Sequence, residues 1–125
     1  MAKVRVREGE DLNGLGIIIQ QAIDTNLQDP RKVESIRKLE ATLVVRDTIS
    51  GAAVTLHFRR GDVEMHNGTI VKPSGTFEGT YENLGKFILG QVSPVWSVLT
   101  RKTKARGNVL KLMKASKVII LKDGA

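Results

Sequence analysis

Two histidines are all the imidazole this chain has, and both lie in stretches where apolar and polar residues alternate, Val54-Thr55-Leu56-His57-Phe58 and Asp62-Val63-Glu64-Met65-His66. Asp62, Glu64 and His66 share one strand face, so with His57 nearby they could offer oxygen and imidazole ligands to a metal. A solvated polar strand face reads the same way and is far commoner, so no metal is expected. No Ser, His and Asp fall into a hydrolase-like grouping. Cys is absent, which excludes thiolate catalysis, disulfides and cysteine-ligated zinc or iron–sulfur sites. Gly14-Leu15-Gly16-Ile17-Ile18-Ile19 starts like a dinucleotide-binding turn but lacks the third Gly and a βαβ setting. Neither a catalytic group nor a cofactor is expected.

Charge is the other chemistry-bearing feature. The net charge is +7, from 20 basic and 13 acidic residues. Nine of the basic residues (Lys86, Arg101, Lys102, Lys104, Arg106, Lys111, Lys114, Lys117, Lys122) fall between Asn83 and Lys122, where there is no acid. The remainder holds 11 basic against 13 acidic residues, a net of −2. Such a region attracts anionic membranes, nucleic acid or anionic ligands. Nucleic-acid binding through Arg101–Lys122 is the alternative reading. It is disfavoured by an aromatic content of 4%, which leaves few stacking platforms.

These groups need a scaffold, and 125 residues with 41% hydrophobic and 26% charged content fit one globular domain, 1–125. No apolar run reaches the roughly 20 residues of a membrane span. MAKVRVREGEDL lacks a signal-peptide core and LKDGA carries no terminal address tripeptide, so a cytoplasmic protein is expected.

In chain order, residues 2–8 alternate and suit a short strand or a loose arm. N-terminal helices are expected over 11–39. Asp11 is the candidate N-cap of the first, striped by Leu12, Leu15, Ile19, Ile23 and Leu27. Asp29-Pro30 opens a second, surface helix with Val33, Ile36 and Leu39. A sheet is expected over 40–80. Arg60-Gly61 as a two-residue turn pairs Phe58 with Val63 and Leu56 with Met65 on one face, and His57 with Glu64 on the other. A further strand centres on Phe77.

From 80 to 121 the pattern is a helical clamp with an edge strand. Thr80 caps a helix with Leu84, Phe87 and Ile88 at i, i+3, i+4. Ser93-Pro94 opens another with Val95, Trp96 and Leu99. Arg101–Arg106 alternates like an edge strand blunted by cations. Gly107-Asn108 caps a last helix with Val109, Leu112 and Met113 on one face and Lys111 and Lys114 towards water. Val118–Leu121 is a short closing strand or tail. The class is α+β, an antiparallel sheet with helices on its apolar face. The surplus of branched aliphatics, Met and Trp would line a ligand cavity or fill a dry core; spacing alone leaves both open.

The order TFEGTYENLGKFILGQ, then GQVSPVWSVLT with Gly90, Pro94 and Trp96, then RKTKARGNVLKLMK with Lys102, Lys104, Gly107 and Asn108, resembles the sterol carrier protein 2 (nonspecific lipid-transfer protein) domain family over Val63–Val118. The resemblance implies a five-stranded, mainly antiparallel sheet with helices on one side. It implies a tunnel between them for a fatty acid, acyl-CoA, sterol or phospholipid, with no cofactor and no catalytic step. By position the cavity wall is Phe77, Leu84, Phe87, Ile88, Val95, Trp96, Leu99, Val109, Leu112 and Met113, over a floor of Leu56, Phe58, Val63 and Met65. Lys102, Lys104, Arg106 and Lys111 form a rim for head groups or an anionic membrane, and Gln20, Gln21 and Arg37 are lesser head-group candidates. Peroxisomal members of the family end in an S-K-L-like tripeptide, whereas this chain ends KDGA, which leaves that address without support; many relatives lack a known ligand, which weakens sterol among the candidates.

Overall fold

The computed structural model describes residues 4–7, 11–70, 72–91 and 103–121. Ten elements follow one another: β1 (Val4–Val6), α1 (Gly14–Asn26), α2 (Pro30–Ser35), β2 (Glu40–Asp47), β3 (Ala53–Arg59), β4 (Asp62–Asn67), β5 (Gly75–Gly79), α3 (Tyr81–Ile88), β6 (Thr103–Gly107) and α4 (Val109–Ile119). The helix expected after Pro94 lies outside the described residues.

The strands form one sheet in the order β1-β4-β3-β2-β5-β6. Its centre is the expected meander, with Phe58 opposite Val63, Leu56 opposite Met65 and His57 opposite Glu64. Arg60 and Gly61 both take positive φ (50° and 95°), the backbone of a hairpin turn whose twist matches its strands. The sheet has six strands, not five, because β1 joins as an edge. Val4 and Val6 align parallel with Val63 and Met65, extending the apolar face, while Arg5 falls opposite Glu64 and ion-pairs with Asp62 at 3.5 Å. β2 and β5 are also parallel, and the other three pairings are antiparallel.

That parallel pairing has a consequence for the other face. β4 and β5 run the same way with β3 and β2 between them, so residues 68–74 must cross the sheet. Three strand spacings are about 14 Å, and seven residues reach about 23 Å when extended. The segment is thus long enough to cross as a strap, and it turns at Gly68 and Lys72, which both take positive φ (89° and 56°). It lies on the face away from the helices, because the Thr55 hydroxyl, which alternates with core residues Val54 and Leu56, donates to the Gly68 carbonyl at 2.7 Å. At its far end the Ser74 amide donates to the Thr42 carbonyl (2.7 Å) and the Thr42 amide to Ser74 Oγ (3.1 Å). Val44, Thr55 and His66 on this face are buried.

On the apolar face, one cluster joins Leu43, Val45, Val54, Leu56, Phe58, Val63, Met65 and Phe77 of the sheet to residues of α1, α3 and α4. α1 is capped by Asn13 rather than by Asp11. Asn13 Oδ1 accepts from Gly16 N and its Nδ2 donates to the Ala53 carbonyl, while Asn67 of β4 grips the backbone of Asp11 and Asn13. A strand distant in sequence thus selects the cap. α2 begins at its expected Asp29-Pro30 cap and buries none of its own residues; Ile36 and Leu39, just beyond it, enter the core. The 118–121 stretch is the end of α4 and its exit, tied by Leu121 N to the Ile88 carbonyl at 2.7 Å.

Candidate functional site

Buried apolar side chains of α3 and α4 meet β5. Thr80 caps α3 by accepting from Asn83 N at 3.2 Å, which starts the helix directly off β5. Its i, i+3, i+4 stripe of Leu84, Phe87 and Ile88 is buried as its spacing requires. The Phe87 ring meets Phe77 of β5 at 5.4 Å between centroids, tilted by 50°. α4 comes closer still. A Cβ on Gly75 would stand 2.7 Å from Leu112 Cγ, so Leu112 sits on bare backbone. The turn before α4 allows this approach: Gly107 has φ +97°, and a Cβ there would meet the Ser74 carbonyl oxygen at 2.5 Å.

Nine of the residues expected around a cavity (Leu56, Phe58, Val63, Met65, Phe77, Leu84, Phe87, Ile88 and Leu112) belong to this one buried cluster. Val95, Trp96, Leu99 and Lys102 lie outside the described residues. The inner face of α4 differs from the expected Val109, Leu112 and Met113. It is Leu112, Ala115, Ser116, Val118 and Ile119, with Met113 half-buried and Val109 46% exposed. Val109 shares the stripe, but it precedes the point at which the helix reaches the sheet over Gly75. Sequence reasoning placed only the sheet and the last helices at this interface. Leu15, Ile19, Ala22 and Ile23 of α1 complete the cluster, and their helical stripe was the available signal.

Asn26 ties the far ends of the helices together. Buried at 2% exposure, its Nδ2 donates to the carbonyls of Val118 (2.6 Å) and Ile120 (3.1 Å), while Oδ1 accepts from Lys32 Nζ (2.6 Å). The two buried ionisable side chains among the described residues lie away from the apolar interface. His66 lies beside Thr55 on the face away from the helices. Asp47 closes the β2–β3 turn, where the Ile49 amide and the Ser50 hydroxyl bind its carboxylate and hold its pKa below the usual 3.8.

Beside α3 a polar cleft of about 400 Å³ is lined by Thr48, Glu78, Gly79, Thr80, Asn83, Lys104 and Arg106. It contains two of the expected rim cations. Lys104 is exposed, and Arg106 shares Glu78 with Arg46 at 3.5 and 3.7 Å. Lys111, expected in water, is half-buried. Gln20 is half-buried, while Gln21 and Arg37 are exposed on the helical side, far from this cleft in sequence.

On the opposite face His57 and His66 meet through their Nε2 atoms at 2.9 Å. Burial, then the neighbouring His66, hold the His57 pKa below its ordinary 6.5. Asp62 and Glu64 point instead to Arg5 and Arg7, at 3.5 and 3.6 Å. Among the described residues no group of three or more His, Asp or Glu is placed to hold a metal ion. Nor is any described helix long and apolar enough to cross a membrane.

The model of the SCP-2 sterol transfer family matches residues 19–119. Among solved structures, the UbiJ-SCP2 ubiquinone synthesis protein superposes with a TM-score of 0.64 at 14% identity, over 84% of this chain and 91% of that one. Sterol carrier protein 2 from Yarrowia lipolytica, in apo form, gives 0.60 at 20% identity over 87% and 93%. The sec-alkylsulfatase Pisa1 from Pseudomonas sp. gives 0.57 at 15% identity over 72% of this chain, which spans 14% of that enzyme. At such identities the likeness is one of fold. No curated protein sequence matches significantly.

Proposed function

We propose, from the premise that the chain belongs to the SCP-2 sterol transfer family, that it binds and carries a lipid between the sheet and the α3–α4 pair without transforming it. The observation that carries this reading is the apolar interface of Phe77, Leu84, Phe87, Ile88 and Leu112, with the buried ionisable groups at a strand end or on the opposite face. Among the described residues this interface has no proton to move and no nucleophile to offer. It favours burial of hydrocarbon, by about 0.8 kcal/mol per CH₂. Leu56, Phe58, Val63 and Met65 form the floor, and Val95, Trp96 and Leu99 complete the wall. Lys104 and Arg106, in the cleft beside α3, meet a carboxylate or phosphate head group. The whole chain acts as one lipid-binding unit, carrying its ligand through the cytoplasm.

The family match supports lipid carriage and lends no support to nucleic-acid binding through Arg101–Lys122.

Native mass spectrometry of the purified protein, followed by extraction and lipid identification, is the direct test. The panel for rebinding is a fatty acid, a sterol, a phospholipid and, given the ubiquinone synthesis protein among the structural neighbours, ubiquinone. A retained lipid, or displacement of a fluorescent fatty acid by one of the panel, is expected. Recovery of no lipid together with no displacement would sink the carrier reading. A Trp96 emission spectrum unchanged at saturating ligand would remove Trp96 from the wall.

A further inference from the structure

We propose that His57 and His66 form a pH-sensitive latch, which holds the crossover strap on the sheet while the pair carries at most one extra proton and releases it when both rings are charged. The inference rests on hydrogen-bond geometry, because the partners of the two rings leave only one arrangement of protons in the neutral pair. The Asn67 carbonyl can only accept, so His66 Nδ1, 3.0 Å away, carries a proton and donates. Neutral His66 must then accept at Nε2, and the donor 2.9 Å from it is His57 Nε2–H. His57 Nδ1 is left as an acceptor facing the Thr42 hydroxyl at 3.4 Å. The rings lie within 25° of parallel with centroids 5.0 Å apart. Since their Nε2 atoms are only 2.9 Å apart, they meet edge to edge and share a hydrogen bond rather than a stacking face.

A first added proton fits. It goes to His57 Nδ1, and the Thr42 hydroxyl rotates to accept it; the Nε2–Nε2 bond persists as a charge-assisted one. A second proton has no place. It must occupy His66 Nε2, where it would face the His57 N–H across 2.9 Å, with two positive rings in contact. The bond breaks, and His66, only 4% exposed, has to leave its site to be hydrated.

The strap is anchored at these same positions. His66 is the register partner of Thr55, whose hydroxyl holds Gly68, and His57 is the partner of Thr42, whose backbone holds Ser74. The charges around the pair do not neutralise a second proton. Glu64 opposite His57 favours protonation, but it is shared with Arg7, just beyond β1, and Asp62 is taken by Arg5. Arg59 of β3 and Arg7 oppose protonation, β2 contributes the neutral Thr42, and the one charged residue of the strap is Lys72. Opening reaches the helical side as well. The Ser74 carbonyl accepts from the Asn108 amide at 2.8 Å, and Asn108 caps α4, whose Leu112 lies over Gly75.

The test is amide exchange at Gly68 and Ser74, which donate to the carbonyls of Ala53 and Thr42, followed by NMR from pH 8 to 5 and corrected for intrinsic rates. In the wild type the corrected rates are expected to stay level down to the first protonation, then rise at least tenfold at the second. In His57→Gln and in His66→Gln, where no second imidazolium can form, they stay level. A level wild-type profile, or the same rise in both variants, overturns the latch. Should a variant fail to fold, the wild-type imidazole titration decides. Two separated steps, the lower coinciding with loss of Ser74 protection, support the latch, and two independent single-step titrations overturn it.

Discussion

Phe77 and His66 are nearly equally hidden, at 1% and 4% exposure, yet they lie on opposite faces of the sheet and are held by different physics. Phe77 sits among side chains that need only be apolar and of the right volume, so its neighbourhood tolerates the exchange of one hydrocarbon side chain for another. His66 lies beside Thr55 on the face crossed by a strap held by directional bonds, Thr55 to Gly68 and Thr42 to Ser74, where every donor needs its acceptor. The first kind of burial suits a site for a greasy ligand whose shape varies. The second fixes topology and responds to protons.

The contrast can be broken by substitution, beginning with the largest effect. Phe77→Ala removes a ring packed on Phe87 at the centre of the proposed ligand interface and is expected to cost about 3–5 kcal/mol. Denaturant midpoints should show that loss equally at pH 8 and pH 5; a pH-dependent loss would erase the distinction between the faces. Asn26→Ala leaves the Val118 and Ile120 carbonyls without their donor and is expected to cost about 2 kcal/mol. Its local signature is faster amide exchange at the end of α4, and unchanged exchange there would count against Asn26 as the tie. Thr55→Val keeps the shape but deprives the Gly68 carbonyl, for about 1 kcal/mol. The effect should be confined to the Gly68 end of the strap, with Ser74 protection and lipid displacement unaltered.

The smallest effect is that of pH. Neutral His57 is favoured in the folded state, so below 6.5 the unfolded chain binds more protons than the folded one. Stability is therefore full above 6.5 and declines as pH falls through the lowered His57 value. Asp47, whose pKa is also lowered, adds a separate decline below 3.8 as its carboxylate is protonated. In His57→Gln, unfolding midpoints measured across pH should lose the upper decline and keep the lower one. Retention of both would show that another group titrates in the upper window.

Much of this was legible in the residues, for local reasons. The Arg60-Gly61 turn joins strands whose two faces agree in only one register, and Asp29, Thr80 and Asn108 cap helices that begin at the next residue. The α3 stripe needed nothing beyond its own spacing. Where readings shifted, a distant partner intervened. Asn67 drew the start of α1 to Asn13, and contact over Gly75 set the inner face of α4 on Leu112, Ala115, Ser116, Val118 and Ile119. β1 became a sixth strand because β4 offered it a free edge.

By itself the sequence determined the hairpin register, the caps of α2, α3 and α4, the cationic edge strand and the stripes of α1 and α3, since each depends on interactions within a few residues or on a period of 2 or 3.6. Only the tertiary structure decided that β5 pairs with β2 rather than with its chain neighbour β4. From that choice follows the crossover strap on the face away from the helices. Parallel pairing across a crossover leaves no local trace in the residues that make it, because it is set by which edge remains open once the meander has formed.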